Sequence, residues 1–79
     1  MDIVRLKPGT PAPIDSDCIS IDRTPSGRFV LTGSALAGSQ SVSMVGGPDY
    51  NTSEEAEAEG LAWAAENGVA ELYVAVPRD

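Results

Sequence analysis

Four stretches of the chain have residue types that could carry chemistry. The first is Cys18, the sole cysteine. A thiol becomes a nucleophile or metal ligand when a base or an electropositive surrounding lowers its pKa. The chain has no histidine, so it has no cysteine–histidine pair, histidine general base or imidazole ligand. The acidic neighbours along the chain are Asp15, Asp17 and Asp22, which at close range would raise the thiol pKa. Cys18 is therefore expected to be a small residue in a strand.

The second stretch is residues 49–53, where Asp49, Asn51 and Ser53 put oxygen atoms at alternate positions, as a calcium loop begins. That loop requires glycine at its sixth position and glutamate at its twelfth. Glu54 and Gly60 stand there, and helix capping accounts for the stretch instead. The third stretch has Gly33 and Gly38 at phosphate-loop spacing, but Ser39 stands where the phosphate-binding lysine belongs. Gly46 and Gly47 lead toward a helix N-terminus, which attracts anions, yet Glu54 and Glu55 already occupy that field. The fourth feature is the glutamate set around residues 54–66. Paired carboxylates do acid–base work when an apolar pocket separates their pKa values, whereas these fall on one solvated helix face. No catalytic residue, metal ligand or cofactor is predicted, and the chain is expected not to be an enzyme.

The helix that would present those glutamates is the clearest element. Thr52 and Glu55 fit a capping box, with the Thr52 hydroxyl taking the Glu55 amide and the Glu55 carboxylate reaching back. Glutamates in the first turn suit the helix dipole. Asn67 and Gly68 supply a left-handed stop. Ala56, Gly60 and Ala64 recur every four residues and form one row beside Trp63. Glycine inside a helix costs about 0.5–1 kcal/mol relative to alanine, and close approach to a sheet is the expected compensation. Leu72, Val74 and Val76, on one face of a strand at residues 71–76, are the expected seat.

Before the helix the period changes to two. Residues 18–22 place Ile19 and Ile21 on one face. Pro25 and Gly27 mark a turn, and residues 28–32 return as a β-rich strand. Residues 33–40 have no readable pattern and are expected to be a loop. Residues 41–45 alternate again and give a third strand, closed by Gly46, Gly47 and Pro48. Residues 3–6 suit a short N-terminal strand. The prolines at 8, 11 and 13 then break regular structure, and residues 8–16 are predicted as a Pro-rich extended arm. The fold class is α+β: a small antiparallel sheet of three to five strands in β-β-β-α-β order, one helix on one face. Residues 1–79 are expected to be a single small domain.

One helix covers one sheet face, leaving the other, with Tyr73 and Val30, incompletely polar. The chain is small and acidic, 79 residues with a formal charge of −7. Oligomerisation commonly supplements so small a core. The first functional expectation is thus a non-catalytic protein-interaction or self-association module, a homodimer in the simplest case, touching through Val30, Tyr73 and the hairpin around Pro25. The second is an adaptor whose Glu55, Glu59 and Glu66 steer a basic protein partner. The alternative, from another class, is weak nucleic-acid binding by Arg23 and Arg28 on the 23–28 hairpin. Two arginines on an acidic chain make a nucleic-acid partner the least favoured of these. A lone cysteine, no apolar run of signal-peptide length and no long apolar segment make a soluble, cytoplasmic, bacterial-type protein the simplest expectation, with no membrane partner.

Overall fold

Residues 1–13, 15–37, 40–47 and 49–77 are described by the computed structural model. The helix, α1 (Ser53–Glu66), begins where the capping box places it. The Glu55 amide donates to the Thr52 hydroxyl at 3.1 Å. The Glu55 carboxylate takes the amide of Asn51 at 3.4 Å rather than that of Thr52. At the other end Gly68 has φ +68°. Its amide donates to the Ala65 carbonyl and the Val69 amide to the Ala64 carbonyl, the paired bonds of a Schellman stop.

The strands are β1 (Asp2–Arg5), β2 (Cys18–Arg23), β3 (Phe29–Ala37), β4 (Gln40–Val45) and β5 (Glu71–Ala75). They form one five-stranded sheet in the order β1-β5-β2-β3-β4. The fold is α+β with one helix packed on a sheet, as the element order predicted. The sheet is mixed rather than wholly antiparallel. The pairs β2–β3 and β3–β4 are antiparallel, whereas β5 lies parallel to both β1 and β2. The cause is the crossover: α1 carries the chain back along the sheet, so β5 starts from the same end as β4 and runs the same way.

Two further expectations are corrected. Residues 33–37 are strand, not loop, because β3 continues through them and pairs with β4 from Thr32 to Ala37. Gly38 and Ser39, the end of the phosphate-loop-like spacing, lie outside the described residues, as do Pro48 and Arg78. The helix also sits over β2 and β3 rather than over β5. A Cβ on Gly60 would stand 2.5 Å from Ile19 Cδ1 and 3.2 Å from Leu31 Cδ1. The glycine thus lets the helix axis come down onto β2 and β3. Ala56, Gly60 and Ala64 are all buried. Leu72 and Val74 belong to the same core, with Ile19, Ile21 and Leu31, and are fully buried beside the helix seat.

Residues 6–17 join β1 to β2, which run in the same direction, so this connection recrosses the sheet. It is anchored by Leu6 and Gly9 amides donating to the Val74 and Val76 carbonyls. Farther on, Thr10 and Pro11 border Ser20 and Ala75, while Pro13 and Ser16 border Tyr73. Ser20, Tyr73 and Ala75 alternate with the buried residues of their strands and face away from α1. The proline arm therefore lies alongside the β5–β2 part of the second sheet face, whose Cys18, Ser20, Tyr73 and Ala75 are half-buried. The β3–β4 part stays open, with Val30, Thr32, Ser34, Ser43 and Val45 exposed.

Candidate interaction surface

The groups singled out for chemistry are occupied by structure. Burial pushes the Cys18 thiol pKa up and the Asp17 charge adds to it, while a hydrogen bond with Ser16 works the other way. The direction matches the sequence reading, but desolvation is the main cause. Asp17 is more than a solvated turn residue: its carboxylate accepts the Leu36 amide at 2.9 Å, and its carbonyl accepts the Tyr73 amide. The Asp49 and Asn51 oxygens that resembled a calcium loop are held by one cation of the chain itself. Arg28 Nε lies 2.8 Å from the Asp49 carboxylate. The same guanidinium donates to Asn51 Oδ1 at 2.6 Å and to the Asp49 carbonyl at 3.0 Å. This clamp fixes residues 49–51 against β3, where Phe29 and Tyr50 exchange both backbone hydrogen bonds. Among the described residues no three acidic or cysteine side chains gather as a metal site.

The expected contact residues do not form one patch. Arg23, Pro25, Arg28 and Val30 cluster at the hairpin end of the sheet. There Arg23 lies over the Phe29 ring, 5.5 Å from its centroid, a cation–π contact. Tyr73 is at the other end: it pairs with Cys18, whereas Val30 pairs with Asp22 two strands over. Strand geometry puts them roughly 16 Å apart. The nearby Glu71 carboxylate pushes the Tyr73 pKa up. Glu55 belongs to the helix cap. Arg28 is held by Asp49 and Asn51, whereas Arg23 is exposed and meets only the Phe29 ring.

Glu59 and Glu66 do come together, around Trp63. Met44, Val45, Gly46 and Gly47 on one side, and Glu59, Ala62, Trp63 and Glu66 on the other, border a groove of about 260 Å³ between α1 and β4. Trp63 is half-buried because one face of its ring lies on Gly33: a Cβ there would be 2.9 Å from Trp63 Cζ3. Neither Glu59 nor Glu66 has a salt-bridge partner among the described residues.

The groove runs along an edge. β4 ends the sheet order. The Gly46 amide donates to the Leu31 carbonyl, and bonded and non-bonded pairs alternate along an antiparallel ladder. Ser43 and Val45, opposite Ser34 and Thr32, therefore direct their backbone N–H and C=O groups away from β3. No residue of β4 is charged, and Val45 is 82% exposed. Sequence reasoning found the strand but not its place at the edge. The available signal was a strand with no charged residue, which suits either a central position or an unguarded edge. No known protein family, curated protein or solved structure matches the chain. No helix among the described residues is long and apolar enough to cross a membrane.

Proposed function

We propose that the protein is a non-catalytic protein-interaction module whose working surface is the outer edge of β4. The observation that carries this reading is the edge itself: six uncharged residues, with the backbone groups of Ser43 and Val45 turned outward, unpaired among the described residues, beside a highly exposed Val45. Such an edge is a template for a further strand, since main-chain hydrogen bonds supply affinity and neighbouring side-chain pockets supply choice. The added strand comes from another protein or, as a homodimer, from a second copy paired edge to edge about a two-fold axis. Arg28 is taken up by Asp49 and Asn51, and the remaining hairpin arginine on a chain of charge −7 makes the nucleic-acid alternative the weaker reading.

Selection from a library of displayed ten-residue peptides tests the reading. The unmodified protein should enrich peptides with alternating, strand-like sequences. Ser43→Pro, which removes an outward N–H and leaves the ladder to β3 intact, should lose them. Sedimentation equilibrium of both forms from micromolar to near-millimolar concentration measures the homodimer case. No enrichment and no self-association, or binding indifferent to Ser43→Pro, refutes the proposal.

A further inference from the structure

We infer that the segment accepted by β4 is basic and lays a lysine or arginine side chain over Trp63, between Glu59 and Glu66. The inference rests on strand acceptance at this edge and adds the chemistry of the partner. Paired residues in a sheet share a face. Met44 points to the helix side, being packed against the core. The residue of an incoming strand that lies opposite Met44 therefore also points to the helix side, into the groove bordered by Trp63, Glu59 and Glu66. Glu59 and Glu66 are four residues before and three after Trp63, so all three side chains share one side of α1. A long basic side chain suits this place in two ways. Its aliphatic stem packs on Met44 and the indole, while its charged head meets the ring face and the two carboxylates.

No base of the chain lines the groove among the described residues. Arg5 is paired with Glu57, Arg28 with Asp49, and Arg23 is stacked on Phe29. A second copy is a poor match. With β4 paired against β4, the residue opposite Met44 comes from Gln40–Val45, which contains no base. Each copy also carries −7, so like-charge repulsion opposes the approach, whereas the same field draws a basic segment in.

The test uses the full chain and its one tryptophan. Trp63 emission is followed while a blocked ten-residue peptide of alternating lysine and threonine is added at about 50 mM salt, where screening is weak. The peptide should bind and shift the emission. A version with glutamine for lysine should bind about tenfold more weakly. Glu59→Gln combined with Glu66→Gln should remove that difference. Ser43→Pro should abolish binding of both peptides. A lysine peptide N-methylated at alternate residues should also fail, which gives the same test without altering the protein.

Equal binding of the lysine and glutamine peptides, lost in Ser43→Pro, leaves the strand-accepting edge standing and overturns the basic partner. Lysine-peptide binding that survives both Ser43→Pro and N-methylation is diffuse charge attraction and overturns both. A dimer that Ser43→Pro dissociates and the lysine peptide does not displace makes the second copy the occupant and also overturns the inference. So does failure of the lysine peptide to bind a protein whose circular dichroism shows it folded.

Discussion

The sheet has two edges, and they are finished differently. β1 is short, four residues, and carries Asp2 and Arg5. Arg5 reaches across to Glu57 on the helix, and the chain leaving β1 turns back over the second sheet face. Charge and shortness are among the usual ways of keeping an edge from recruiting strands. β4 has none of the charge: Gln40–Val45 is neutral throughout and faces a groove floored by an aromatic ring. The difference teaches that one edge of the sheet is short and charged whereas the other is longer and uncharged. It also separates the two roles of the helix. Toward β1 it offers Glu57 to a base of the same chain, and toward β4 it offers Glu59 and Glu66, which no cation among the described residues meets.

Substitutions can break that contrast or sharpen it. The largest effect is expected at the seat both edges share. Gly60→Val forces branched carbon into Ile19 and Leu31 and should cost about 1–3 kcal/mol by overpacking, read as a lower urea midpoint. A midpoint equal to that of the parent would mean the helix does not sit as low as described. Gly33→Ala acts on the β4 side alone. Its methyl would meet the Trp63 ring, so a cost of about 1 kcal/mol is expected, together with red-shifted Trp63 emission as the ring moves toward water. Unchanged emission would show that the indole does not rest on β3.

Losing the cap should also cost about 1 kcal/mol in Thr52→Ala, with no change at either edge. That variant provides a stability-matched control for binding. Arg5→Ala should cost at most about 0.5 kcal/mol, because Arg5 is exposed and the pair is screened by solvent on that side. If it alone induces self-association, the charge on β1 is what guards that edge. Ser43→Lys should leave stability within about 0.5 kcal/mol and give β4 the kind of guard β1 already has, so strand binding there should fall away.

Alkaline pH offers the mildest probe. The Cys18 thiol is raised by burial and Tyr73 by Glu71, so the folded state holds both protons more tightly than the unfolded chain. Their contribution is full below about pH 8.5, the ordinary thiol value, and is lost as pH rises through the raised values. Stability should therefore decline on the alkaline side, and Cys18→Ser should flatten the first part of that decline. The two groups are paired partners on β2 and β5, away from β4. Binding at the groove should accordingly change less with alkaline pH than stability does.

Much of the fold was legible because its signals are local. The cap pairs Thr52 with Glu55 three residues apart, the stop at Gly68 spans one turn, and the β2–β3 hairpin is announced by Pro25 and Gly27. The candidate surface was legible only in pieces. Glu59 and Glu66, expected to steer a basic partner, both border the groove beside β4, whereas Val30, Pro25 and Tyr73 scatter over opposite ends of the sheet. The loop expected at residues 33–40 gives way to strand over residues 33–37 for a clear reason. Gly33 weakens a strand when read by propensity, but it is required where the Trp63 ring presses on the backbone, thirty residues farther along the chain.

The sequence by itself determined a capped helix, alternating strands, an acidic surface and a chain without imidazole chemistry. Each of these depends on composition or on neighbours within one turn. Only the tertiary structure decided that β5 enters between β1 and β2, that α1 rides over Ile19 and Leu31, and that β4 is left at the edge. Those are pairings between distant segments, selected by which arrangement buries Leu72 and Val74 together with the helix row, and no local period encodes them.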